Sequence, residues 1–309
     1  MTRTKHKRSI RALASAPMNV TLPVELSDQH VLALPQGTDL LALARAWFAD
    51  AAWEREPATA APVARPMTGA RFRGIVVQDA PSAVPGRLAV GGAVLVGPRP
   101  LTSDEVRATG LRAGEALDLY GVEGPASPQL SAWCTAAARH AGGLLVPASR
   151  TDVVVPDPQG APGLTLWSPV PLAPRDVLPL VRPAMVGARV SPTEVPTQVG
   201  GGPQECAVTA VFDYDGTVTL RSARSDDVPA VLATLDWREY GPWAYHVRWQ
   251  PADGEDPDSS LSAIARRRVA PTIARVTAAL WRAAGGTVVD EGGFVVRSDE
   301  VTRRAVPPR

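Results

Sequence analysis

The stretch PQLSAWCTAAARHAGG, residues 128–143, has an echo in PTIARVTAALWRAAGG, residues 271–286. Aligned without gaps, Pro128/Pro271, Ala136/Ala279, Arg139/Arg282, Ala141/Ala284, Gly142/Gly285 and Gly143/Gly286 are identical, and Leu130/Ile273 and Trp133/Val276 are apolar in both. Each copy reads as a helix that opens with proline in its first turn, where the missing N–H is harmless, and closes at a glycine pair. A short β-type run follows each, at 144–146 and 287–289. In the first copy Leu130, Trp133, Ala137 and Ala141 form one apolar stripe, which must cover a sheet face.

Working outward, similar elements flank both copies. Upstream of the first lie a strand at 31–34, a Pro35-Gln36-Gly37 turn and a helix capped by Thr38 or Asp39. Leu40, Leu41, Ala44, Trp47, Phe48 and Ala51 recur at helical spacing, so this helix is expected to run to about Trp53. Strands follow at 72–77, 87–96 (broken at Gly91-Gly92) and 117–122, with a short helix opened by Ser103-Asp104-Glu105. After the repeated helix come short runs at 144–146 and 152–155, then the linker PDPQGAPG at 156–163.

Beyond the linker the order recurs. A strand at 164–167 leads to RDVLPLVRP, from Arg175, which matches TDLLALARA, from Thr38, through Asp39/Asp176, Leu41/Leu178, Leu43/Leu180 and Arg45/Arg182. Pro179 and Pro183 should shorten or kink this copy. Strands are expected at 207–212, 218–221 and 243–249, a short helix from Ser225-Asp226-Asp227, and strands at 287–289 and 294–296 around the second repeated helix. The expected fold is α+β: an internal duplication of a module of roughly 140 residues. Each half would be a mostly antiparallel sheet covered by helices, ferredoxin-like in general shape. The expected boundaries are a flexible basic arm at 1–18, a first module at 19–157, a linker at 158–163 and a second module at 164–309.

The chain has 309 residues, with 45% apolar and 20% charged side chains, ordinary values for a globular protein of about two domains. A net charge of +1 favours neither nucleic acid nor an anionic membrane as partner. Lys5 and Lys7 are the only lysines among 32 basic residues, the mark of GC-rich codon usage. Cys134 and Cys206 make neither a disulfide framework nor a metal site, so a reducing cytoplasm is expected. The N-terminus begins like a signal peptide, but the apolar run of about 7–15 residues that such a peptide needs is missing. No stretch approaches the ~18 apolar residues of a membrane span.

Three stretches could carry chemistry. Val211-Phe212-Asp213-Tyr214-Asp215-Gly216-Thr217-Val218 resembles the first motif of the haloacid dehalogenase superfamily, an apolar strand ending in Asp-x-Asp-Gly-Thr. The resemblance implies a Mg²⁺-dependent phosphohydrolase with Asp213 as nucleophile and Asp215 as acid/base. Read from its residues, the same stretch is a β-hairpin with Asp215-Gly216 as a two-residue type I′ turn, Tyr214 opposite Thr217 and Phe212 opposite Thr219. The second stretch is aromatic. Trp237 and Tyr240 precede a strand whose alternation puts Trp243, Tyr245, Val247 and Trp249 on one face and Ala244, His246 and Arg248 on the other. With Trp281 in the repeated helix, the aromatic face reads as core, and His246 and Arg248 face outward as an anion or carboxylate site. The third stretch is Arg266-Arg267-Arg268, a solvated helix face or an interaction patch.

The acidic run at 253–258 lacks the calcium-loop pattern and reads as a loop before a helix capped by Asp258 or Ser259. No catalytic set, cofactor motif or metal spacing stands out. The expected function is that of a non-enzymatic cytoplasmic protein of two homologous modules. It would bind a protein partner or small ligand, either in the groove between modules or through His246, Arg248, Trp237, Tyr240, Arg266, Arg267 and Arg268. No cofactor, metal, membrane or nucleic-acid partner is expected. The phosphohydrolase through Asp213 and Asp215 is the alternative.

Overall fold

The computed structural model describes residues 20–59, 83–111, 113–191 and 206–307. The expected arm at 1–18 and strand at 72–77 lie outside the described residues. In chain order, β1 (His30–Pro35), α1 (Leu40–Arg45), β2 (Ala52–Arg55), β3 (Ala58–Thr59), β4 (Ala83–Val84), β5 (Gly86–Val90) and β6 (Ala93–Leu101) come first. Next are α2 (Ser103–Thr109), β7 (Leu117–Glu123), α3 (Pro128–Ala141) and β8 (Leu144–Val146). Then follow β9 (Leu164–Ser168), α4 (Pro174–Val181), β10 (Arg189–Ser191), β11 (Cys206–Phe212), β12 (Gly216–Arg224), α5 (Trp237–Tyr240) and β13 (Trp243–Gln250). Last are α6 (Ser260–Ala284), β14 (Thr287–Asp290), β15 (Val295–Val296) and α7 (Ser298–Arg304).

The strands form two main antiparallel sheets, and β3 and β4 make a small separate ribbon. The first sheet has six strands in the order β2-β5-β6-β7-β1-β8, and the second has seven in the order β10-β11-β12-β13-β9-β14-β15. The fold is therefore α+β. In both sheets the earliest strand sits inside, between the strand that precedes the long helix and the strand that follows it.

The glycine pairs explain how the long helices deliver the chain to that place. Gly142 and Gly285 take φ of +77° and +64°, a region that favours glycine, and so end α3 and α6. The glycine after each then lies against the backbone of the inner strand. A Cβ on Gly143 would fall 2.3 Å from the Ala33 carbonyl oxygen, and one on Gly286 would fall 2.0 Å from that of Trp167.

Helices cover one face of each sheet fully and the opposite face in part. In the first half, α1 and α3 close over Leu32, Leu34, Leu88, Leu95 and Tyr120. Val106 of α2 and Leu26 cover the opposite face with Val31, Ala33, Leu117 and Leu119. In the second half, α4, α6 and α7 pack over Leu166, Val208, Leu220, Tyr245 and Val247. Leu232, with Val228 and Tyr240 beside it, covers Trp167, Ala244 and Val289 behind.

Three helix readings need correction. α1 stops at Arg45 and does not reach Trp53, because the chain turns there to bury Phe48 edge-on against Trp133, their ring centroids 6.0 Å apart. Arg45 holds the turn by donating from Nε to the Ala51 carbonyl at 3.2 Å, and residues 52–55 are strand. The second repeated helix does not open at Pro271. It starts at Ser260, capped by Ser259, and runs through the proline, whose ring removes one helix hydrogen bond. Burial of Val269, Pro271, Ile273, Ala274 and Val276 offsets that loss. Ser225-Asp226-Asp227 opens no helix; a 3₁₀ turn forms later, at Ala230–Thr234.

The halves share a seam. Trp47 donates from Nε1 to the Gly292 carbonyl at 2.7 Å, and Phe294, from the β14–β15 turn, is buried in the first half's core. His140 Nδ1 lies 2.7 Å from Asp290 Oδ2, with side chains only 16% and 9% exposed, and the imidazole packs on Phe294 at 4.8 Å. The linker is held as well. Arg267 pairs with Asp157 at 3.0 Å, and Arg266 donates from Nη1 to the Gly160 carbonyl at 3.3 Å.

Two outcomes are expected. Gly143→Ala and Gly286→Ala should each lower unfolding free energy by on the order of 3 kcal/mol. Gly114→Ala, where nothing lies within 4 Å of the new Cβ, should change it by less than about 0.5 kcal/mol, measured by urea denaturation. Trp133 is fully buried and donates from Nε1 to the Leu43 carbonyl, so Trp133→Ala should cost about 3–5 kcal/mol by the same measurement.

Candidate partner-binding face

The structure separates the expected site residues into three groups. The arginine run is engaged internally. Besides the linker contacts of Arg266 and Arg267, Arg268 Nη1 reaches Asp215 Oδ1 at 3.2 Å, and the Arg266 guanidinium lies 5.7 Å from the Trp249 ring centre. Trp237 is 59% exposed with Arg238 beside it at 6.0 Å, whereas Tyr240 is half-buried against the Trp167 cluster. The aromatic face of β13 is core as expected: Tyr245 and Val247 are fully buried, and Trp243 and Trp249 pack against them. Trp281 is only partly buried.

His246 and Arg248 face outward and have basic neighbours in register. Arg221 stands opposite His246 and Thr219 opposite Arg248; on the next strand Thr209 is opposite Thr219, and Arg189 of β10 is opposite Thr209. The described outward positions of these strands beyond the Leu232 cover are Arg189, Ala207, Thr209, Val211, Thr217, Thr219, Arg221, Ala223, His246, Arg248 and Gln250, and none of these carries a carboxylate. Arg189, Arg221 and Arg248 are exposed. Val211 is 73% exposed at the hairpin end, next to Tyr214, which is 95% exposed. Sequence reasoning missed Arg189 and Arg221, because only strand pairing brings them beside His246.

His246 reports the local field. Its Nδ1 is 3.0 Å from Thr165 Oγ1, and its ring meets Trp167 edge-on at 6.4 Å. Burial first, then the charges of Arg248 and Arg221, pull its pKa below the ordinary value. The face holds positive charge close enough to disfavour one more.

The hairpin at Asp213 differs from both earlier readings in detail. β11 and β12 pair antiparallel with Phe212 opposite Gly216 and Val211 opposite Thr217. The loop is thus Asp213-Tyr214-Asp215, not a two-residue Asp215-Gly216 turn, and Tyr214 adopts φ +66°. Gly216 belongs to the strand because the chain passes close there: a Cβ would sit 2.2 Å from the Gln250 carbonyl oxygen. Asp213 is exposed at the end of this antiparallel ladder, unlike the parallel-strand setting that the dehalogenase resemblance implies. Asp215 is tied down by Arg268 and by Trp249, whose Nε1 donates to its carbonyl at 2.6 Å. The hairpin tip therefore does attract an arginine, which the turn reading did not anticipate.

Among the described residues, no group of three histidine, cysteine, aspartate or glutamate side chains could hold a metal ion. Among the same residues, no helix is long and apolar enough to cross a membrane. Cys134 and Cys206 are buried and unpaired, and burial pushes the Cys134 thiol up to about 12. No protein-family model, curated protein or solved structure matches the chain.

The His246 shift is directly measurable. By NMR its imidazole should titrate below the ordinary 6.5, and Arg248→Gln should raise that midpoint. Because the folded state resists the proton more than the unfolded state does, stability should begin to fall as pH drops through about 6.5 and level off below the folded midpoint.

Proposed function

We propose that this chain is a non-enzymatic, cytoplasmic binding or scaffold protein of two homologous modules, 19–157 and 164–309, joined by the linker at 158–163. Its partner is an acidic protein segment docked on the outward face of β10–β13. One observation carries the reading: Arg189, Arg221, Arg248 and His246 share one face, and among the described residues at its outward strand positions none is a carboxylate. Arginine, together with the exposed Val211 and Tyr214 beside it, is the mixture found at protein interfaces, where arginine and tyrosine supply much of the binding energy.

The duplication is supported by the corresponding strand orders and by the two glycine pairs, which meet equivalent inner strands at residues 33 and 167. The ferredoxin-like comparison extends to helices packed on an antiparallel sheet and no further.

The test uses a fluorescein-labelled Glu/Asp-rich peptide and measures anisotropy at low and physiological salt. The wild type should bind it, more weakly as salt rises. The Arg189→Glu/Arg248→Glu double variant should lose at least tenfold in affinity while keeping the wild-type circular dichroism. Equal binding by the double variant, or tighter binding of a single-stranded oligonucleotide than of the peptide, would overturn the proposal. Hydrolysis of small phosphate esters with Mg²⁺ that disappears in Asp213→Asn would replace it with the phosphohydrolase reading.

A further inference from the structure

The seam between the halves encloses two neighbouring cavities that the basic face does not involve. One, of about 370 Å³, lies among the end of α3, the linker, α6 and α7. The other, of about 740 Å³, opens between α1, the Ala230–Thr234 turn and α7. His140, Ala141, Glu300 and Arg303 line both, so the two cavities adjoin.

Their chemistry differs. The smaller cavity presents Arg139, Arg303 and Arg304 and a single acid, Glu300, which already pairs with Arg304. Arg303 makes only a long contact, 3.6 Å, with the exposed Asp299. Arg139 Nε is buried and has no hydrogen-bond partner, although a buried guanidinium donor normally finds one. The larger cavity offers apolar surface from Leu41, Val231, Leu235 and Val295, and its carboxylates Asp39, Asp299 and Glu300 favour an anionic head group in the smaller cavity, not here. An arginine fork matches a planar or tetrahedral oxyanion, and an apolar wall matches a hydrocarbon body.

We infer that the seam binds a small amphipathic oxyanion. Its carboxylate or phosphate meets Arg139, Arg303 and Arg304, and its apolar part lies along Leu41, Val231, Leu235 and Val295. The ligand contacts both halves at once, so its binding holds the two sheets together beside the His140–Asp290 pair. This site does not rest on the partner-binding face.

Octanoate, octyl phosphate and neutral 1-octanol, each below its aggregation limit, are the probes, read by calorimetry and by thermal shift on the full chain. The two anions should bind and raise Tm, whereas octanol should not bind. The stronger of the two anions identifies the head group as carboxylate or phosphate. Arg139→Gln and Arg303→Gln should each weaken anion binding about tenfold or more. Ala42→Trp, an exposed position on the wall of the larger cavity, should weaken octyl anions while leaving the fold intact by circular dichroism. Arg248→Gln, on the distant sheet face, should have no effect. Octanol binding as tightly as octanoate, binding that survives Arg139→Gln, binding lost in Arg248→Gln, or no binding by either anion would overturn the inference. Because the Glu/Asp-rich peptide is absent from this assay, a failure here leaves the face proposal untouched, and the reverse holds too.

Discussion

Everything in each half hangs on a backbone carbonyl approached more closely than any side chain allows. The chain leaves its long helix, reverses at a glycine with positive φ, and passes the inner strand at Ala33 or Trp167 with no room for a Cβ. That approach puts β8 beside β1 and β14 beside β9 in register. It thereby makes the first strand in each half's sequence an internal one, hydrogen-bonded on both sides. With β1 or β9 in the middle, the helix that follows it and the long helix are forced onto one face, where Trp133 and Tyr245 fill the deepest positions. The opposite face is left for the short helical turns, which carry fewer apolar side chains and cover less of it.

The incomplete cover explains where the proposed partner surface lies. In the second half, the turn at Ala230–Thr234 and α5 sit over β9 and β14, at one side of the sheet. The remaining strands, β10 to β13, alternate apolar inward residues with threonines and arginines outward. Arginine outward on a strand is an ordinary solubilising choice. Three of them beside a half-buried histidine give this part of the sheet a positive character, the complementarity on which the proposed acidic partner rests.

The seam works differently. It is formed by local insertions: the β14–β15 turn carries Phe294 into the other half, and the arginines of α6 draw the linker against the helix. Cavities remain beside this contact, and clefts between packed units are where small ligands commonly lodge. The His140–Asp290 pair and the unpartnered Arg139 Nε place polar groups at this junction, in a setting drier than the outer sheet face.

The repeated sequence and its glycine pairs disclosed the α+β class, most strand positions and the inward aromatic row of β13, because these depend on residues close together in the chain. Asp39 and Ser259 were legible as cap candidates for the same reason, whereas the helix expected to open at Ser103-Asp104-Glu105 is capped by Thr102. Periodicity misled where tertiary contacts took over. Trp47 and Phe48 continue the helical spacing of α1, yet one bonds across the seam and the other packs on Trp133, so the helix gives way to a turn. Arg267 and Arg268 are exposed, as a solvated helix face should be, but that the run also reaches the linker and the hairpin tip is not visible in one dimension. Arg189 and Arg221 became neighbours of His246, and Arg139 of Arg303, only through strand pairing and the docking of the halves. Local sequence determines which segments become strand or helix. Which charges share a face is decided by register and packing between residues far apart in the chain, and no local pattern encodes that.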